Sequence, residues 1–196
     1  MSPRRVSVVI LAGGRSSRFG RDKLAEPIDS RTLLAHVVDA VRPIATEIVV
    51  VAAPGAILPF ADAGDVIVAH DPVAYQGPLA GLLAGLEVAD EPVALVVGGD
   101  MPTLVGAVLR AMLEALDSRG VDAVVLEDAG RSRPLPMALR REPALAAVER
   151  LVEAGERRLR ALPETLTTDV IASETWRVLD PGALTLRDID TPADLG

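Results

Sequence analysis

The sequence predicts an α/β protein: a mainly parallel central sheet with helices on both faces. Three observations carry this. Short runs of β-branched and apolar residues recur at 6–11, 47–53, 65–69, 93–97 and 121–126. Between them lie longer stretches with apolar residues at helical spacing. Each run is bounded by acidic or turn residues. Strands alternating with helices build βαβ units, whose buried parallel strands read as continuous apolar runs.

The chain has 196 residues. That fits one domain, 1–196, with enough length for a sizeable core. Apolar residues make up 49%, yet only two Phe, one Trp and one Tyr are aromatic, so the core is built from Ala, Val and Leu. The absence of cysteine excludes disulfides, thiolate zinc sites and a cysteine nucleophile. Two histidines, His36 and His70, cannot make a three-histidine metal site. A net charge of −8 argues against a general nucleic-acid binder. The run 6–11 is too short for a signal-peptide core, and no apolar run reaches transmembrane length. A cytoplasmic protein without membrane contact is expected.

In chain order, the strand at 6–11 feeds a glycine turn and a basic loop. Leu33, Leu34, Val37, Val38 and Val41 give a helix over 31–41, ended by Arg42-Pro43. A strand follows at 47–53, closed by Pro54-Gly55, and a short one at 65–69, closed by His70-Asp71-Pro72. Gly77-Pro78 opens a helix, with proline where a missing N–H does no harm. Gly81 and Gly85 lie on one side of it and permit close approach, either to the sheet or to a ligand at the helix start. The strand 93–97 runs into Gly98-Gly-Asp-Met-Pro102, and a helix follows over 104–116. After the strand 121–126, a turn with two arginines is expected over 128–133. Residues 134–139 alternate and predict an edge strand, since proline breaks a central ladder. Residues 143–152 read as helix, Gly155-Glu-Arg-Arg158 as the start of a further basic helix, and 169–186 as irregular or strand-like. Thr191-Pro192 reads as a helix N-cap followed by a first-turn proline.

Chemistry concentrates in Leu11-Ala-Gly-Gly-Arg-Ser-Ser-Arg-Phe-Gly-Arg-Asp-Lys23. Two glycines let the backbone turn and approach a ligand closely. Arg15, Arg18, Arg21 and Lys23 against Asp22 give the stretch a local charge of +3 in an acidic chain. Lys23 is the only lysine. A compact ammonium kept once, in a chain that otherwise uses arginine, favours a point contact with phosphate. The stretch is neither a P-loop, which needs Gly-Lys-Ser/Thr, nor the dinucleotide pattern GxGxxG. Asp100 follows a buried strand, with glycines before it and proline after it, so it reads as a rigidly held carboxylate for magnesium. Its alternative role is an N-cap for the next helix, which Thr103 could also fill. Asp71 reads equally as an acceptor for a base or ribose and as an Asp-Pro turn.

The glycine loop resembles the signature of nucleotidyltransferases with a glycosyltransferase-A-like fold. Together with QGPLAGL, GGDMP, RPLPMAL, GERR and the terminal DIDTPADL, it occurs in the order seen in molybdenum cofactor guanylyltransferases. The similarity covers nearly the whole chain and implies a Rossmann-like sheet of the nucleotide-diphospho-sugar transferase type. It also implies transfer of GMP from magnesium–GTP to the terminal phosphate of molybdopterin, releasing pyrophosphate. Transient contacts with cofactor-biosynthesis or molybdoenzyme partners are implied as well. On this resemblance, Leu11, Ala12, Gly13 and Gly14 contact the base and phosphates. Lys23 is the phosphate ligand, with Arg18 beside it, and Asp71 binds the nucleotide. Asp100 binds magnesium, and Gly77, Gly81 and Arg157 belong to the pterin side.

Two departures bear on the base. Where the family often has asparagine after the second strand, this chain has Ala52 or Ala53, and Asp188 and Asp190 replace two asparagines in the terminal motif. The chain contains no asparagine. An added carboxylate at Asp190 is a second candidate metal ligand, as in some relatives. Two alternatives therefore stay open beside guanylyl transfer. One is a sister enzyme using CTP or another phosphorylated acceptor; the other is a catalytically silent nucleotide-binding subunit.

Overall fold

The computed structural model describes residues 5–13, 27–28, 31–56, 58, 66–70 and 77–189. Its centre is a seven-stranded sheet in the order β5-β4-β1-β6-β8-β7-β9. In chain order these are β1 (Val6–Leu11), β4 (Glu47–Ala52), β5 (Val66–His70), β6 (Val93–Gly98), β7 (Ala123–Asp128), β8 (Arg131–Arg140) and β9 (Thr168–Ile171). A small ladder of β2 (Pro27–Ile28) and β3 (Arg31–Thr32) stands apart. Only β8 runs against its sheet neighbours; β5, β4, β1 and β6 pair in parallel, as do β7 and β9.

Among the described residues, six helices cover the two faces: α1 (Leu33–Val41), α2 (Pro78–Val88), α3 (Gly106–Ser118), α4 (Arg141–Glu153), α5 (Ala161–Thr165) and α6 (Ser173–Trp176). Alternate residues of each strand point to opposite cores. Val8, Ile10, Leu95 and Val97 pack with α1, α3 and Trp176 of α6. Val9, Val49, Val51 and Val96 pack with α2, α4 and Leu162 of α5. This two-faced burial is why β1, β4 and β6 read as unbroken apolar runs. The expected α/β sheet with helices on both faces is therefore present. Among the described residues, no helix is long and apolar enough to cross a membrane.

Several local expectations are corrected. The helix expected from residue 31 begins at Leu33, because the Thr32 hydroxyl accepts the Ala35 N–H at 3.2 Å and caps it there. The broad turn expected over 128–133 is confined to Ala129 and Gly130, both at positive φ, and strand resumes at Arg131. The strand expected at the edge, 134–139, lies inside the sheet between β6 and β7. Its prolines are tolerated because the register slips there. Val125 faces Met137 but Leu126 faces Arg133, and pairing with β6 stops at Met137. Pro134 and Pro136 thus fall among three residues that neither neighbour needs as ladder donors.

Residues 155–158 are not helical: the turn that ends α4 closes at Gly155, 156–158 are irregular, and helix resumes only at Ala161. The Glu156 carboxylate accepts the N–H groups of Arg157 and Arg158 at 2.8 and 2.9 Å. It also pairs with the Arg158 guanidinium, at 2.5 Å from its Nη2. This local competition for backbone donors prevents a helix start. The stretch 169–186 holds most of β9, all of α6 and a short 3-10 turn at Leu184–Leu186. The Thr191-Pro192 helix start lies outside the described residues.

Candidate active site at the carboxyl edge of the sheet

Strand order reverses direction at β1. The chain builds β4 and β5 outward on one side, then returns to place β6 on the other. Ligands of open α/β sheets bind at such a point, outside the carboxyl ends of the strands. Leu11, the last residue of β1, faces Val51 of β4 and Gly98 of β6. Beyond it the backbone stays tied on both sides. The Ala12 N–H donates to Val51 O at 2.8 Å, and the Gly99 N–H donates to Leu11 O at 3.0 Å. A Cβ added at Gly13 would rest 3.4 Å from Ala53 N and 3.6 Å from Ala52 C. The protein itself could accommodate that methyl with little adjustment.

Asp100 stands one turn past β6, so the glycine turn after β1 and the acid after β6 leave the sheet from adjacent strands. Its carboxylate folds back over Gly98: a Cβ there would lie 2.5 Å from Asp100 Oδ1. Only glycine leaves that space. The turn is fixed from below by buried Met101, whose N–H donates to Gly98 O and whose sulfur accepts the Gly98 N–H, both at 3.3 Å.

Neither Asp100 nor Thr103 caps the following helix, which begins at Gly106 with Val105 in the capping position. The Thr103 hydroxyl instead donates to Leu184 O at 2.8 Å, and the Val105 N–H donates to the Thr185 hydroxyl at 3.2 Å. Buried Asp180 holds this 3-10 turn in place, accepting the N–H groups of Leu184 and Thr185 at 3.0 and 2.7 Å. The same C-terminal segment returns to the site, where the Ile189 N–H donates to Asp100 O at 2.9 Å. Sequence reasoning passed over Asp180 and Thr185, and gave Thr103 a capping role in place of this bond. The available signal was Asp180-Pro181-Gly182, an aspartate placed to accept backbone N–H groups a few residues on.

Gly77 and Arg157, eighty positions apart in the sequence, are brought together. Gly77 has φ +102°, and a Cβ there would lie 2.8 Å from Arg157 Cβ and 2.9 Å from Arg157 O. Gly81 is buried in the first turns of α2, and a Cβ there would lie 3.6 Å from Val51 Cγ1. Gly85 packs more tightly, with 2.6 Å to Val9 Cγ1 and 2.8 Å to Val51 Cγ2. Close approach of helix to sheet explains Gly85, whereas a methyl at Gly81 would make only ordinary contact. The Arg157 backbone is set by Glu156, whose carboxyl lies well below the ordinary carboxylate range. The Arg158 guanidinium is the main cause, followed by the Arg158 and Arg157 N–H groups. Gly14, Arg18, Lys23, Asp71 and Asp190 lie outside the described residues. Among the described residues, no group of three or more His, Cys, Asp or Glu forms a metal cluster. An Asp100 carboxylate joined by nucleotide phosphate oxygens nevertheless fits magnesium, which needs only one or two protein carboxylates.

The family description "MobA-like NTP transferase domain" matches residues 8–170. A probable molybdenum cofactor guanylyltransferase of Chloroflexus aggregans is 34% identical over 97% of this chain and 91% of its own. The molybdenum cofactor guanylyltransferase of Desulfosudis oleivorans is 30% identical over 97% and 92%. Among solved structures, molybdopterin-guanine dinucleotide biosynthesis protein A of Archaeoglobus fulgidus superposes with a TM-score of 0.80 at 23% identity, over 96% of this chain and 94% of that one. The 4-diphosphocytidyl-2C-methyl-D-erythritol synthase of Anaerococcus prevotii superposes at 0.73 with 16% identity, over 98% and 93%. Both likenesses are of fold.

Proposed function

Because the chain belongs to the MobA-like NTP transferase family, we propose that it transfers GMP from magnesium–GTP to the terminal phosphate of molybdopterin, releasing pyrophosphate. It is a nucleotidyltransferase by family. The finer reading has the whole chain, 1–196, act as one domain. It rests on one observation above all: the Asp100 turn sits beside the glycine turn of β1, at the strand-order reversal. Relatives named for molybdenum cofactor guanylyl transfer support the base and the acceptor.

The chemistry requires no triad. A phosphate monoester has its second pKa near 6 and is already a nucleophile at neutral pH. Its oxygen attacks the α-phosphorus of GTP. The bond from that phosphorus to the bridging oxygen breaks, and pyrophosphate leaves with the electron pair. The obstacles are repulsion between two anions and charge gathering on the leaving group. Lys23 and Arg18 offset both by binding phosphate oxygens, and Asp100 with Asp190 would hold the metal. Magnesium supplies charge neutralisation of the phosphates when bound. Leu11, Ala12, Gly13 and Gly14 present backbone to the nucleotide, and Asp71 accepts from it. Gly77, Gly81 and Arg157 serve the acceptor side.

A second reading, CTP as donor, draws on Ala52 or Ala53 and on Asp188 and Asp190, which stand where the family resemblance leads one to expect asparagines. A pyrophosphate-release assay with molybdopterin and each of the four nucleoside triphosphates decides. Release with GTP above the other three is expected. Release with CTP above GTP overturns the guanine assignment, and no release with any of them makes the chain a silent binding subunit.

A further inference from the structure

On the α5 side of the sheet, near the carboxyl ends of β7 and β9, lies an open cavity of about 420 Å³. This is within the ordinary range for small-molecule sites. Val125 and Val170, register partners on β7 and β9, line it together with Pro163 of α5. Arg131 and Arg133 approach from the start of β8, and Arg160 from the start of α5.

Several other described arginines are ion-paired. Arg119 pairs with Asp169, Arg158 with Glu156 and Arg177 with Asp128. Neither Arg131 nor Arg160 makes a hydrogen bond or ion pair among the described residues. Arg133 reaches Asp188 only at 3.8 Å, and its Nε is buried without a hydrogen-bond partner. One buried, unpartnered guanidinium nitrogen on Arg133 and two exposed guanidinium groups against apolar walls suit a planar ring with acceptor atoms, because the guanidinium both stacks and donates in its plane. The cavity also carries one carboxylate, Glu164. A site for a bare anion would gain nothing from it, whereas a ring bearing amino or N–H donors would.

The cavity adjoins the candidate active site. Arg160 is three residues beyond Arg157, the residue against Gly77. Asp188, facing Arg133, precedes Ile189, which is bound to Asp100 O. We propose that this cavity, framed by Arg131, Arg133, Arg160 and Glu164, seats the planar heterocycle of the acceptor, with its phosphate directed past Arg157 toward Asp100. The proposal rests on the acceptor assigned above, a phosphorylated pterin.

The test is a fluorescence titration of a pterin monophosphate into the full chain, the R131A/R160A double variant and Glu164→Gln. Inorganic phosphate serves as competitor. Thermal stabilisation by magnesium–GTP reports folding. The expected result is a Kd at least 10-fold higher in the double variant and several-fold higher in Glu164→Gln, with GTP stabilisation unchanged and weak competition by phosphate. If the double variant does not fold, the single exposed change Arg160→Gln takes its place, with a several-fold rise expected. Equal pterin binding by wild type and variants overturns the cavity assignment. If the wild type ignores the pterin and binds a polyol phosphate instead, the acceptor reading fails, and the ring assignment with it. A preference for CTP, with pterin binding still dependent on these arginines, refutes only the donor base and supports the cavity.

Discussion

Lys23 is the sharpest proposal at the residue scale: one ammonium in a chain of arginines, proposed as a point contact with phosphate. Lys23→Ala should lower turnover about 10²-fold or more, the scale of one lost electrostatic stabiliser, with the fold intact. Near-normal turnover at saturating nucleotide would remove it from the mechanism. Asp100→Asn should abolish magnesium-dependent turnover, whereas Asp190→Asn should mainly raise the magnesium requirement, since one protein carboxylate with phosphate oxygens and water can still hold the ion. Magnesium titrations of both variants separate these outcomes.

Asp180 acts at a distance from the chemistry. Burial pushes its carboxyl up. The Thr185 N–H and hydroxyl, the Leu184 N–H and the Arg177 charge outweigh that and hold it below its ordinary value. A depressed pKa means that folding favours the ionised form. Its stabilisation is therefore complete above the unfolded value of about 3.9 and fades as pH falls through the folded value. The acid limb of Tm against pH should flatten in Asp180→Asn, and an unchanged limb would show that other carboxylates set it.

At the scale of elements, the two close glycines of the α2 segment make different predictions. Gly85→Ala drives a methyl into Val9 and Val51, which are buried in the sheet and cannot turn away. A loss of about 1–3 kcal/mol in unfolding free energy follows, with KM for both substrates unchanged. Gly77→Ala meets the Arg157 backbone at positive φ, so it should raise the acceptor KM more than the GTP KM. Steady-state kinetics beside a denaturant melt distinguish them.

The elements also show what the sequence made legible. Parallel strands buried on both faces announce themselves by apolar runs, so β1, β4, β5, β6 and β7 were readable to within two residues at either end. Strand β8 was readable as a strand but not as an interior one, because its prolines are excused by a register slip that only its partners reveal. The irregular stretch 155–158 was hidden for a related reason: the Glu156 carboxylate is taken up by local backbone donors. In the site, Asp100 followed from strand, glycine and proline punctuation alone. The Thr103–Leu184 and Val105–Thr185 bonds join residues 81 and 80 positions apart, and no local pattern encodes them.

For the molecule as a whole, an acidic chain that binds a polyanion must gather its cations locally. The net charge is −8, yet the basic loop through Lys23 carries +3 and the cavity beside the site holds three arginines. Nucleotide without magnesium adds four negative charges to that field, so binding should depend strongly on the metal and weaken with salt. A ligand that binds only the folded state raises stability by about 2.7 kcal/mol at 100 times its Kd. For a chain of this size that corresponds to a rise in Tm of roughly 5–10 °C. Magnesium–GTP should give that shift, CTP less, and ATP and UTP the least, with each shift collapsing when magnesium is chelated. A larger shift with CTP at matched concentration would assign the chain to the cytidylyl branch of the same fold. A GTP shift indifferent to chelation would remove Asp100 from nucleotide binding, leaving the phosphates to Lys23 and the arginines.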